Sequence, residues 1–297
     1  MKKILLSFLV LSLTAVLAGE QKPGPKVFIS VDMEGIWGVV HANQTSPDSP
    51  EYGAARKWMA EDVNAVVDGL LAAGAGLVVV NDSHGSMRNI IADQLDPRVA
   101  LISGSPKPLS MMEGIDASFD ACLFIGYHAQ AGTAAASLDH TISGSTMRSI
   151  RINGLELPEL GINAAIAGSH NVPVIMLSGD EATCLQAKAV LGQSLIAVAV
   201  KKAVGRYAAQ MRPRDAARQA LTQGAREALA GLSRVKPFRL DPPLNFELEF
   251  HNSGQAEMPS LLSQVKRTGA RSVAFITDDY LQGFKLMRAV IALAGYN

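Results

Sequence analysis

Cysteine is nearly absent from this 297-residue chain: only Cys122 and Cys184 occur, with no CxxC spacing. That excludes a disulfide-dense scaffold and a thiolate-built zinc site. Cys122 sits in the apolar run Ala121 to Ile125 and Cys184 in a helical-looking segment, so two inert core thiols are expected rather than a bridge. Net charge is missing as well, with 27 basic residues against 27 acidic ones and no basic stripe interleaved with aromatics. The electrostatic footprint of a nucleic-acid partner is therefore lacking, and none is expected. There is no internal repeat and no low-complexity tract.

A stable membrane anchor is also not expected. Lys2-Lys3 precede an uncharged stretch from Ile4 to Ala18, which is short for crossing hydrocarbon. Charged start, apolar centre and the small-residue end Val16-Leu17-Ala18 have the form of a secretory signal. Residues 1–18 are read as a signal peptide, and the mature chain as exported, periplasmic or secreted. No cysteine follows Ala18 or Gly19 to carry a lipid.

What is present is ample apolar material, 48% of residues, enough for one large domain with or without a small appendage. Four short runs, Val27 to Val31, Leu77 to Val80, Cys122 to Ile125 and Val172 to Leu177, are apolar on both faces. Such runs predict central strands of a mainly parallel sheet covered by helices on both sides, an α/β fold. Ala54 to Ala73 is the clearest helix between them, with Val63, Val66, Val67, Leu70 and Leu71 at helical spacing and Gly74 as its stop. Glu181 to Leu191 and Arg214 to Leu229 are two more. After a proline-containing connector, Leu244 to Phe250 alternates strictly and predicts a half-exposed strand, antiparallel or at an edge. A strand over Ser272 to Thr277 and a helix over Asp279 to Ala294 follow. Residues 19–235 form the expected α/β metal-binding catalytic domain, and 236–297 a smaller C-terminal α+β portion completing the same unit.

The ends of the four runs carry the chemistry. The first ends in Asp32 and Glu34, the second in Asn81-Asp82-Ser83-His84, the third in Gly126-Tyr127-His128, the fourth in Ser178-Gly179-Asp180. In open α/β sheets ligands sit beyond the carboxyl ends of the strands, so four polar ends describe one site. Asp32 and Glu34, two residues apart along a strand, point the same way, and two such charges repel unless a cation lies between them. Imidazoles from His84 and His128 beside these carboxylates suit zinc, or less selectively manganese, cobalt or iron. If two metals bind, a third carboxylate is needed, and Glu159, Glu156 and Asp180 are all candidates. His140 follows Asp139 in a Gly/Ala/Ser-rich loop of the kind that forms active-site lids.

These residues carry a resemblance to a known family. The Ser30-x-Asp32-x-Glu34-Gly35 signature, Asn81 to His84, Gly126 to Ala129, and Glu159-Leu160-Gly161-Ile162-Asn163-Ala164 resemble the binuclear zinc D-aminopeptidases of family M55, the dipeptide-operon aminopeptidase group. Ile102-Ser103-Gly104 with Lys107-Pro108, Met112 to Asp116 and Gly254 to Glu257 extend the similarity, in order, over essentially the whole mature chain. The resemblance implies that Asp32, Glu34, His84, His128 and Glu159 hold two zinc ions, with Asp32 bridging them. It implies that His140 is the catalytic histidine and that the chain assembles as a ring-like homo-oligomer of ten subunits. This sequence departs from the pattern in a His128–His140 loop one residue longer, in Asp139 where a small polar residue is usual, and in the export signal.

The expected activity is zinc-dependent removal of the N-terminal residue from short peptides, D-alanyl peptides foremost. Its rivals are a periplasmic peptide- or metal-binding protein without turnover and a zinc amidase with another substrate. His41, His170 and His251 have no assigned role.

Overall fold

The four doubly apolar runs pair as neighbours because each can be covered from both sides. In the computed structural model, which describes residues 24–296, they are β1 (Lys26–Val31), β2 (Leu77–Asp82), β4 (Ala121–Ile125) and β7 (Val174–Asp180). The expected signal peptide, residues 1–18, lies outside the described residues. With β3 (Ala100–Ile102), β8 (Ile196–Gly205) and β9 (Ala208–Met211) they build a seven-stranded sheet in the order β3-β2-β1-β4-β7-β8-β9. Every pairing is parallel except that of β8 with β9. The chain runs outward from β1 to β3, then restarts at β4 and runs the other way. The switch therefore falls between β1 and β4, where the two loops leaving the strands diverge and leave a crevice.

Alternation of side chains divides the core into two layers. Val27, Ile29 and Val31 of β1 face α2 (Tyr52–Ala72) and α5 (Arg214–Ala230), whereas Phe28 faces the opposite layer. Helix α2 presents Val63, Val66, Val67 and Leu70 to the sheet and ends where Gly74 turns left-handed, φ 91°. Across the sheet lie α3 (Glu159–Ser169), α4 (Glu181–Leu191) and α6 (Tyr280–Ala294), together with a second, antiparallel sheet. That sheet has the order β11-β12-β10-β5-β6, from β5 (Met147–Ile152), β6 (Leu155–Glu156), β10 (Leu244–Phe250), β11 (Lys266–Gly269) and β12 (Ser272–Thr277). Two of its strands come from the middle of the chain, so the smaller sheet is not made by the C-terminal segment alone. Strand β10 is antiparallel but internal, flanked by β12 and β5. Its alternation records one half-exposed face, which an interior strand of a two-layer structure can have as readily as an edge strand. Cys122 and Cys184 are free and buried. Among the described residues no helix is long and apolar enough to cross a membrane.

Helix α2 also supports the loop that leaves β1. Its buried Asp62 accepts the Trp37 N–H at 2.9 Å through Oδ2, and Oδ1 has no partner among the described residues. Burial pushes this carboxyl up to about 6, against the Trp37 hydrogen bond and the charges of Arg218 and Lys201. A folded-state value above the ordinary 3.8 means that stability is lost as pH rises from about 4 to about 6. Asp62→Asn keeps the acceptor for Trp37 and removes the buried charge. We expect the variant to be more stable than the parent at pH 7 by about 2 kcal/mol, with the gain fading by pH 4. Urea unfolding at both pH values measures it; a gain equal at the two would exclude ionisation as the cause.

Candidate metal centre

Close backbone approach at the switch point assembles the site. Gly35 N donates to Gly126 O at 2.7 Å and Asp32 N to Ile125 O at 2.8 Å, joining the loop after β1 to the end of β4. A Cβ at residue 35 would lie 2.0 Å from the Tyr127 carbonyl oxygen, so only glycine fits there. Gly126 is left-handed at φ 70°, and a Cβ on it would lie 2.3 Å from the Asp32 carbonyl oxygen. Beneath, Ser30 Oγ lies 2.8 Å from both the Ser83 and Tyr127 hydroxyls, and Asn163 Nδ2 donates to the Tyr127 hydroxyl at 3.1 Å. This buried network ties β1, β2, β4 and α3 into one floor.

On that floor stand Asp32, Glu34, His128 and Glu159, all 5% exposed or less, with His84 and His140 at the rim. His84 Nδ1 is 3.3 Å from Asp32 Oδ1 and 3.1 Å from Glu34 Oε2. His128 Nε2 is 3.4 Å from Asp32 Oδ2 and 3.3 Å from Glu159 Oε1. The two oxygens of Asp32 thus face two different histidines. His140 stacks on His128 with ring centroids 3.9 Å apart, and its Nε2 is 3.6 Å from Glu159 Oε1. Two overlapping groups, Asp32/Glu34/His128 and His128/His140/Glu159, bring their ligand atoms within 4.8 Å of one another.

Each histidine has one ring nitrogen held by a main-chain carbonyl. His84 Nε2 bonds Thr45 O at 2.9 Å, His128 Nδ1 bonds Ala129 O at 3.0 Å, and His140 Nδ1 bonds Leu138 O at 3.0 Å. A carbonyl accepts only, so these nitrogens carry the hydrogen and the other nitrogen of each ring presents a lone pair to the carboxylates. Lone pair facing carboxylate is repulsive unless a proton or a metal intervenes. His128 Nε2, buried without a hydrogen-bond partner among the described residues, is the clearest case. The donor set of imidazole nitrogen and carboxylate oxygen, with main-chain carbonyls fixing the orientation of each ring, fits zinc.

Without a metal the strain falls on protons. Burial and then Glu34 push Asp32 up to about 7. Against burial, the charges of Glu159, Asp32 and Glu34 raise His128 to about 10, and Glu34 and Asp32 hold His84 well above its usual range. Burial opposes ionisation of Glu159 too, yet His128 and His140 draw it down to about 2. His140 differs: burial and the neighbouring His128 lower it, leaving a neutral ring.

All six residues singled out in the sequence converge. Of the three candidate third carboxylates only Glu159 reaches the site, projecting from the first position of α3. Glu156 pairs with Arg151 on the small sheet, and Asp180 caps α4 by accepting from Thr183 N at 2.8 Å. The fourth strand end therefore supports the site rather than forming it: Asp180 Oδ2 also accepts from Ser137 N at 2.6 Å in the loop that carries His140. Asp139 is buried, pairs with Arg206 and accepts from Gly132 N at 2.7 Å, closing that loop. Leu138 and Ile142, on either side of His140, are both left-handed, so this segment is held in shape rather than free as a lid. Asp82 is structural, accepting from Asn89 N and Ile90 N at 2.6 and 2.7 Å and so shaping the turn after His84. His41 caps the short helix α1 (Ala42–Thr45), His170 ends α3, and His251 lies beside Arg148 and Glu249 on the small sheet, none of them in the site.

One supporting residue escaped the sequence reading. Lys201 of β8 is 2% exposed, and its ammonium donates to the carbonyls of Glu34 at 2.6 Å, Ile36 at 3.0 Å and Val39. All three N–H bonds go to the loop that bears the acid pair. The sequence does not single this lysine out: Lys201 and Lys202 both follow the strand-like run Ile196 to Val200, and only the fold shows which of them is buried. Lys201→Met would strand three carbonyls and remove a buried cation that faces Asp180, Asp62 and Glu34. We expect a loss of about 3 kcal/mol in stability and of about 10- to 100-fold in zinc affinity, read by thermal unfolding and by zinc titration against a chelator dye. Unchanged zinc affinity would mean that the loop holds its shape without the ammonium.

Comparison with known proteins gives the family. The family model for peptidase family M55, described as D-aminopeptidase, matches residues 26–289. A D-aminopeptidase of Bacillus subtilis strain 168 is 36% identical over 272 residues, covering 91% of this chain and 97% of that protein. The solved structure of the Zn-dependent D-aminopeptidase DppA from Bacillus subtilis, described as a self-compartmentalizing protease, superposes with a TM-score of 0.89 at 34% identity, covering 92% of this chain and 98% of that one. On the extent of these matches, the chain belongs to peptidase family M55, the D-aminopeptidases.

Proposed function

We propose that this chain is a zinc-dependent aminopeptidase that removes the N-terminal residue of short peptides, with D-alanyl peptides its leading substrates. The observation that carries the reading is the set of ring nitrogens turned, by carbonyl hydrogen bonds on their far side, toward buried carboxylates. Asp32, Glu34, His84, His128 and Glu159 would hold two zinc ions, the two oxygens of Asp32 addressing His84 and His128 separately. Zinc in such a site acts as a Lewis acid that acidifies water and polarises a peptide carbonyl.

The chain's own groups complete the chemistry. His140 is kept neutral by burial and by His128, and its Nδ1 is engaged with Leu138 O. Its Nε2 is therefore free to take a proton from the attacking water and return it to the departing amine. Glu159, fixed by the Ile142 N–H and 3.6 Å from His140 Nε2, would stabilise the ring's positive charge once that proton is taken up. The cluster His128/His140/Glu159 favours one second reading, in which His140 is itself a ligand.

The relative described as self-compartmentalizing supports assembly as a homo-oligomer, which we take to be a ring of ten subunits. The N-terminal sequence supports export, with cleavage after Ala18 and residues 19–297 acting as one catalytic unit in the periplasm or outside the cell.

Purified protein should release D-alanine from D-Ala-D-Ala, lose that activity to a chelator and regain it with zinc. Absence of turnover on any small D- or L-peptide would leave the binding-protein reading in possession, and cleavage of acyl amides alone the amidase one. His140→Ala should reduce turnover by about 100-fold or more while zinc per chain, measured by atomic emission, is unchanged. Loss of zinc in that variant would make His140 a ligand.

A further inference from the structure

Arg288 of α6 is unaccounted for by the chemistry above. Tyr280, two turns earlier on the same helix, donates its hydroxyl hydrogen to Ile162 O of α3 at 2.8 Å, and Phe284 packs between them in the core. These contacts lay α6 along α3, so that Arg288 meets Glu159 and Asn163 at a cleft closed by Ile142, two residues beyond His140. The cleft is narrow, with room for about one water.

A partly buried guanidinium normally finds acceptors, because burying its donors unsatisfied is costly. Among the described residues Arg288 makes neither a hydrogen bond nor an ion pair. Glu159, the charged group that shares the cleft, is already engaged by Ile142 N, His128 and His140. Met111, Ile142 and Phe284 supply apolar walls that strengthen any charge-assisted bond formed there. The charge of Glu159 already acts on Arg288, so what the position lacks is an acceptor for the guanidinium N–H groups, and an anionic oxygen is the strongest one. A carboxylate can put a single oxygen into a narrow opening and accept a charge-assisted bond from the guanidinium there.

We propose that Arg288 receives the α-carboxylate of the peptide substrate, making it a specificity-determining residue for peptides whose free C-terminus lies one residue beyond the scissile bond. The inference rests on the aminopeptidase reading. In a dipeptide, one residue separates the scissile carbonyl from the carboxylate, a span of about 3.5 Å. A carboxylate held by Arg288 therefore leaves that carbonyl beside Glu159 and His140. Longer peptides place their carboxylate farther away and forfeit the contact.

The test compares D-Ala-D-Ala with its C-terminal amide on the zinc-loaded protein, in the parent and in Arg288→Gln and Arg288→Lys, with zinc per chain measured throughout. The parent should favour the acid by about 10- to 100-fold in kcat/KM, carried mainly by KM. Arg288→Gln should bring that ratio towards one with zinc retained, and Arg288→Lys should restore part of it. Equal use of acid and amide by the parent, a measurement that needs no variant, overturns the inference alone. So does a fall in both substrates together with zinc loss in Arg288→Gln, since Arg288 would then be supporting Glu159. A parent that cleaves other small peptides but neither of these overturns the inference alone, and one that turns over no small D- or L-peptide overturns the aminopeptidase reading and this inference with it.

Discussion

Three carboxylates share one nearly dry space, and the rest of the molecule is arranged around their repulsion. Asp32, Glu34 and Glu159 are each 5% exposed or less, and water cannot screen them. Positive charge must come from elsewhere. Part of it is permanent: Lys201 lies beneath the loop, its charge balanced by Asp180, Asp62 and Glu34, and although burial lowers it to about 8 it remains an ammonium at neutral pH. Another part is oriented dipole, since Glu159 begins α3 and meets the positive end of that helix. The remainder is left to whatever sits between the carboxylates and the imidazoles, and the imidazoles are turned to admit a metal there.

Such an arrangement needs the loops after β1, β2 and β4 and the start of α3 brought together at one point. The switch in strand order supplies the crevice, but side chains on ordinary residues would hold the two loops too far apart. Gly35 and Gly126 remove that barrier and let main chain meet main chain. On the far side, the loop carrying His140 is drawn shut by Asp139 with Arg206 and by Ser137 with Asp180. The left-handed residues Leu138 and Ile142 are tolerated because those contacts over-determine the path between them.

Much of this was legible in the amino-acid order. The four apolar runs, the long helix ended by Gly74 and the alternating strand over Leu244 to Phe250 each obey a local periodicity that burial enforces, so pattern and structure agree. The acid pair and the histidines at strand ends were legible for a related reason: a parallel strand delivers its next few residues to a known end of the sheet. Glu159 was not separable from Glu156 and Asp180 without the family resemblance, because the distinction depends on where α3 starts in space. Asp180 was misleading because an N-cap and a metal ligand are the same residue type at the same kind of position. Lys201 and the neighbours of β10 could not be read at all. Which strand lies beside which, and which carbonyls converge over a buried ammonium, are properties of long-range pairing that no local window contains.

The carbonyls of Thr45 and Ala129 have a consequence for how the centre fills. By fixing which nitrogen of His84 and of His128 keeps its hydrogen, they leave the opposite nitrogen to exchange one cation for another. In the metal-free protein those positions, together with Asp32, take up hydrogen ions at neutral pH. Zinc uptake then competes with protons for the same ring nitrogens and carboxylate oxygens. The acidity of the surroundings, rather than the folding of the chain, becomes the variable against which zinc competes.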